Sequence, residues 1–158
     1  MSFEKETKEV NLRTYKINME AEEYSYTTGN LGEQFFLKIK NEGKLTAAYC
    51  DKCNVRFLPV RGFCILCGNE VKSLVYIDME GVVESFTIAK ISSKGEEFGK
   101  EKIIAYIKFP NTLGGLLHEL KNVKIEELKI GMKVHPVFKE MKERIGSLTD
   151  ISYFEPKT

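Results

Sequence analysis

Two Cys-x-x-Cys pairs, an apolar residue at every fourth position just before them, and a succession of alternating apolar runs after them predict the fold class of this 158-residue chain. The class is mainly β with a short N-terminal helix, a zinc ribbon, and then a five-stranded OB-fold barrel. The expected boundaries are 1–43 for an N-terminal arm and helix, 44–79 for the ribbon and 80–158 for the barrel.

Residues 1–26 are polar and carry Tyr15, Tyr24 and Tyr26. They read as an extended arm lying over the body, with a partner contact as the alternative. "TTGNLGEQFFLKIKNEG" predicts a helix from about 30 to 41. Leu31, Phe35 and Ile39 fall on one face, and Gly43 can end the helix in a left-handed conformation. Phe36 and Leu37 widen the apolar stripe and are expected in the core between arm and ribbon.

All four cysteines lie in "AAYCDKCNVRFLPVRGFCILCGNEV", residues 47–71. A Cys-x-x-Cys turn brings two sulfurs together on a tight knuckle. Two knuckles supply four thiolates to one tetrahedral ion, here from Cys50, Cys53, Cys64 and Cys67. Asn54 and Gly68 follow the pairs and tolerate the left-handed backbone a knuckle needs. A ribbon of about 30 residues buries too little apolar surface to fold alone, and metal binding supplies the missing free energy. Four protein ligands close the site, so the expected zinc is structural. Iron on the same thiolates and a pair of disulfides remain the alternatives.

After Gly81 the texture changes to short alternating runs. "GVVESFTIAKIS" is a long first strand. In "KIIAYIKF", Ile103, Ala105, Ile107 and Phe109 share one side, and Ile104, Tyr106 and Lys108 the other. "GGLLHEL" is the third strand, "KIEELKIGM" a short helix stopped by Gly131, "MKVHPVFKE" the fourth strand and "RIGSLTDISYF" the fifth. Five strands with a helix between the third and fourth fit the OB topology.

The charges exclude some functions. The net charge is +1, and no segment is strongly basic, so phosphate tracking along a nucleic acid is not expected. No run of 18 apolar residues exists, and "MSFEKETKEV" has no apolar signal region. A cytosolic, non-membrane protein is the expectation. Phosphate loops, dinucleotide fingerprints and nucleophile elbows are absent from the sequence. His118 reads as a barrel histidine and His135 as a solvated one beside Lys133. Adjacent acids such as Glu96–Glu97 and Glu126–Glu127 read as solvated charges. A binding protein is therefore expected rather than an enzyme. OB barrels bind across strands two and three, where Phe86, Tyr106 and Lys90 could form part of a face. Arg61, Arg56, Lys94, Lys100 and Lys102 are further cations for an anionic ligand. A single-stranded nucleic-acid binder is the alternative reading of a ribbon joined to an OB barrel.

The order "GKLTAAYCDKCNVRFLPVRGFCILCG", "GVVESFT", "GGLLHEL", "IEELKIGMKV" and "GSLTDISYFEP", after a Phe-rich helix, resembles the family catalogued as domain of unknown function thirty-five. The resemblance covers about residues 30–156. It implies a rubredoxin-like zinc ribbon followed by an OB fold, associated with acyl-CoA or CoA. "YSYTTG" and "YFEP" are especially similar to archaeal members found beside thiolase and hydroxymethylglutaryl-CoA synthase. For those members the implied role is a non-catalytic subunit that bridges the two enzymes. The family's metal ligands carry over to Cys50, Cys53, Cys64 and Cys67. "DKCN" lacks the glycine usual after the first pair, and "LPVRGFC" has fewer prolines than the family pattern, so the local loop shape is expected to differ.

Overall fold

The computed structural model describes residues 26–92, 95 and 97–157. The arm expected over 1–26 falls outside them except for Tyr26, and so do Lys94 and Glu96.

Helix α1 spans Gly29–Glu42 and buries Leu31, Phe35 and Ile39 on one face. The four-residue spacing sets this face, because each residue turns by about 100°. Gly43 adopts φ 62° and its N–H donates to the Ile39 carbonyl at 3.0 Å, closing the helix. Phe36 packs half-buried against the core, edge-on to Phe35. Leu37 is exposed, contrary to expectation. It stands two residues beyond Phe35, which turns it roughly 200° away from the buried stripe.

The ribbon follows as β1 (Thr46–Cys50), β2 (Val55–Leu58) and β3 (Ser73–Tyr76), with β1 central and both neighbours antiparallel. Five further strands come next: β4 (Gly81–Ile91), β5 (Glu97–Lys108), β6 (Leu113–Leu120), β7 (Lys133–Phe138) and β8 (Ile151–Pro156). β4 pairs with β5 and β7, β5 with β6, and β7 with β8, all antiparallel. A parallel contact between Leu120 of β6 and Phe154 of β8 closes the barrel. This is the OB topology. β5 starts earlier than "KIIAYIKF" indicates, because its first half pairs with the outer half of β4.

Two expected elements are shorter than anticipated. The helix before β7 is a single 3-10 turn at Ile125–Glu127 that buries no residue. The fifth strand begins only at Ile151. Before it, the buried Asp150 carboxylate accepts the N–H groups of Ile145, Gly146 and Ser147. A side chain that captures three successive backbone donors leaves none for a ladder.

Ribbon and barrel join through a parallel pairing of β2 with β6, Phe57 opposite Leu113 and Leu58 opposite Gly114. One eight-stranded sheet therefore runs through both. Gly114 makes the junction possible. It sits at φ +76°, and a Cβ there would collide with the Leu58 carbonyl. The core crosses the same junction. Leu45, Ala47, Leu58 and Ile77 lie in one buried cluster with Val83, Ile107, Leu116 and Phe154. Phe35 and Ile39 of α1 join that cluster, whereas Leu31 joins a second one around Cys50, Phe57, Cys64 and Val71. One helix thus packs on both cores. Arg144 ties its far end down, donating to the Lys139 and Lys40 carbonyls at 2.8 and 3.4 Å.

Candidate metal centre and barrel face

Cys50 ends β1, and the chain turns through Cys53 to Asn54 at φ 52° before entering β2. The second knuckle is built by Cys64, whose carbonyl accepts the Gly68 N–H at 3.0 Å, with Gly68 at φ 70°. A Val71 N–H to Gly62 carbonyl bond of 2.8 Å holds the loop shut behind it. The four Sγ atoms lie within 4.8 Å of one another, and Cys50 Sγ is 3.8 Å from Cys67 Sγ. A regular tetrahedron with metal–sulfur arms of about 2.3 Å has edges of about 3.8 Å. A disulfide needs about 2.05 Å, and all four cysteines are free thiols here. The cluster can therefore hold one metal ion.

The thiols themselves argue for a central cation. The Cys67 thiol and burial push Cys53 up to about 12. The Cys53 N–H favours the Cys50 thiolate, but burial and the Cys64 and Cys67 thiols outweigh it and raise Cys50. Cys64 is lowered, to about 7, by the N–H groups of Cys67 and Leu66. The Leu66 donor is 3.4 Å from Cys64 Sγ. A dication at the centre of the four sulfurs would compensate the charge of the thiolates that bind it.

The barrel residues expected to bind a ligand do not form one group. Residues opposite each other in an antiparallel pair share a face. Tyr106 opposes Ser85 and Leu117, on the outside of the barrel. Phe86 opposes Ala105, which is fully buried, so it belongs to the inner side, near the barrel's mouth. A register shift between Val83 and Ser85 causes the separation. Without the extra residue Phe86 would oppose Ile104 and share the face of Tyr106. Lys90 is paired with Glu101 at 3.0 Å, and Lys102 Nζ sits 4.7 Å above the Phe98 ring. Arg61 is exposed in the loop between the two knuckles, in the ribbon.

The outer face of β5 and β6 carries residues that the sequence reading passed over. Leu117 is 70% exposed beside the half-buried Tyr106, and Ile104 and Thr87 oppose each other next to them. The Tyr106 ring lies over Gly115, where a Cβ would come within 3.2 Å of its Cζ. The two-residue period from Leu113 through Gly115 to Leu117 was the available signal. His118 faces the other way, edge-on to Phe154 at 5.5 Å, with Nδ1 accepting the Glu119 N–H. His135 is half-buried and not fully solvated. Its Nε2 lies 3.3 Å from Glu155, its partner across β7 and β8. Among the described residues no helix is long and apolar enough to cross a membrane.

Comparison with known proteins agrees with this architecture. A family model described as the C-terminal OB-fold domain of ChsH2 matches residues 74–139. None of the curated proteins compared matches the chain. The structure described as the Ltp2–ChsH2(DUF35) aldolase superposes with a TM-score of 0.61 at 19% identity, over 81% of this chain and 95% of that one, and shares the fold. A DUF35-family protein of unknown function from Sulfolobus solfataricus has a TM-score of 0.59 and 35% identity, over 69% of this chain and 78% of its own. With that identity over most of the Sulfolobus protein, the same OB fold and four gathered cysteines, this chain belongs to the DUF35 family.

Proposed function

We propose that this chain is a non-catalytic, acyl-CoA-binding scaffold subunit of the cytoplasm. It bridges acyl-CoA enzymes such as thiolase and hydroxymethylglutaryl-CoA synthase. The observation that carries the reading is the outer strip of β4, β5 and β6. Tyr106, Leu117 and Ile104 offer apolar area, and Ser85 and Thr87 offer hydroxyls, on one open face. A pantetheine arm is long, uncharged and rich in amides, and such a strip covers it without a basic surface. Phe86, Lys90 and Arg61 lie off the strip. They are assigned to the ligand's outer margins, with Lys90 shared by Glu101. A chain of the same fold occurs in the Ltp2–ChsH2(DUF35) aldolase, which supports an enzyme partner for this one.

Zinc is the proposed ion at Cys50, Cys53, Cys64 and Cys67. Bound there, it supplies charge compensation and folding free energy. Cys64 is held for it by the Leu66 and Cys67 N–H groups, and the Val71–Gly62 bond keeps the second knuckle closed.

The test is thermal unfolding of the metal-loaded chain with and without saturating acetyl-CoA. A ligand at about 100 times its dissociation constant stabilises by about 2.7 kcal/mol. The Leu117→Glu variant is expected to fold normally and lose that stabilisation. An unchanged midpoint in the parent chain, joined by failure to capture a thiolase from the native cell, overturns the reading. Steeply salt-dependent binding to single-stranded DNA would replace it with the nucleic-acid alternative.

A further inference from the structure

The two knuckles share one geometry and differ in the residues that make it. Each has an aromatic residue just before its first cysteine and a left-handed residue just after its second. In the second knuckle these are Phe63 and Gly68, and in the first they are Tyr49 and Asn54. Gly68 sits at φ 70° with nothing within 4 Å of an added Cβ, so only the backbone conformation favours glycine there. Asn54 meets the same demand at φ 52° with a side chain attached. Asparagine enters this region more readily than other L-residues, because its short polar side chain can hydrogen-bond locally. Here it does so: the Tyr49 hydroxyl donates to Asn54 Oδ1 at 2.9 Å. Phe63 has no hydroxyl and Gly68 no side-chain acceptor, so the second knuckle cannot form such a bond. Backbone bonds shut it instead, from the Cys64 N–H to the Asn69 carbonyl at 2.8 Å and from the Gly68 N–H to the Cys64 carbonyl at 3.0 Å.

We propose that Tyr49 is a positioning residue for the metal site, whose hydroxyl acts through Asn54 to hold the first knuckle in the shape that presents Cys50 and Cys53. The proposal rests on the reading of the four cysteines as a zinc site. The bond spans both ligands, since Tyr49 immediately precedes Cys50 and Asn54 immediately follows Cys53. Successive side chains of a strand point to opposite faces, so Tyr49 reaches the turn without entering the sulfur cluster on the side of Cys50. Its base is rigid. β1 is the central strand of the ribbon, and Tyr49 opposes Arg56 on β2 and Ser73 on β3. The Tyr49 carbonyl also accepts the Ser73 hydroxyl at 3.4 Å. Asn54, by contrast, is exposed in the turn. The hydroxyl therefore carries the order of the sheet into the one knuckle whose left-handed residue is not glycine. Tyrosine and asparagine together do there what glycine does alone at position 68.

Zinc affinity of the full chain, read by competition with a chromophoric chelator, tests this in a double-mutant cycle. Tyr49→Phe keeps the ring and removes only the donor. It is expected to weaken zinc binding roughly fivefold, the factor one net hydrogen bond supplies. Asn54→Gly removes the acceptor and gives the knuckle the residue its backbone prefers, so adding Tyr49→Phe to it should change nothing further. Should Asn54→Gly fail to fold, Asn54→Ala gives the same comparison. Phe63→Tyr is the control and should bind zinc as the parent does, because Gly68 offers its hydroxyl no acceptor. Equal affinity in Tyr49→Phe and the parent overturns the proposal, since a ring that merely packs would behave so. An equal loss with and without Asn54 also overturns it, since the hydroxyl would then act elsewhere. Either result leaves the metal assignment standing. A parent chain that takes up no zinc overturns both.

Discussion

Replacing Gly114 by alanine is expected to remove about 2–5 kcal/mol of stability, by two separable routes. The left-handed backbone at φ +76° costs an L-residue roughly 1–2 kcal/mol. The new methyl group also meets the Leu58 carbonyl, a backbone atom that cannot swing aside. Relief requires β2 to part from β6, which are held by two registered pairs, Phe57 with Leu113 and Leu58 with Gly114. Losing about two net hydrogen bonds costs roughly 0.5–1.5 kcal/mol each. Gly131 supplies the control. It sits at φ +87° with nothing within 4 Å of an added Cβ, so Gly131→Ala carries only the backbone cost. Urea unfolding of both metal-loaded variants reads the difference. With a slope of about 2 kcal/mol per molar, the Gly114 variant should unfold at a midpoint roughly 0.5–1.5 M below the Gly131 variant. Coincident midpoints would refute the claim that close approach of the ribbon, and not backbone conformation alone, demands glycine at 114.

Three further outcomes are expected. Purified chain should bind one zinc per molecule by elemental analysis, and Cys64→Ser should lose it and melt the ribbon; a red, iron-loaded sample from metal-balanced medium would overturn the zinc assignment. Burial alone would raise Asp150, but three backbone N–H donors hold its carboxyl below the ordinary 3.8. Its stabilisation is therefore complete above pH 3.8 and lost as pH falls through the lower native value. Asp150→Asn should cost about 1–3 kcal/mol at pH 7 and flatten that part of the acid limb, as followed by circular dichroism. Hydrogen bonds from Lys133 and Lys157 lower Glu80 to about 2, so its carboxyl resonance should titrate near pH 2; titration near the ordinary 4.5 would contradict the pairing.

The sequence made the helix and most strands legible because their apolar periods are local. Leu31, Phe35 and Ile39 mark the helix, and Ile103, Ala105 and Ile107 mark the inner side of β5, with no knowledge of what covers them. The cysteine cluster was legible because spacing within a knuckle fixes geometry at short range. The barrel face was not. A single extra residue between Val83 and Ser85 turns Phe86 from the side of Tyr106 to the side of Ala105. A bulge of this kind answers to distant neighbours and leaves no local signature. The loop before β8 was misjudged for a related reason. Asp150 looks like a surface acid in "SLTDIS", yet it is buried among backbone donors that only the folded loop assembles.

Because α1 packs on both hydrophobic clusters and β2 is hydrogen-bonded to β6, the knuckle tip and the open strip of the barrel cannot change their separation independently. If the barrel strip holds an acyl chain as proposed, that chain sits at a set distance and heading from the knuckles, and the Val71–Gly62 hydrogen bond carries the constraint into the loop between them, so inserting residues at Gly62 would loosen it.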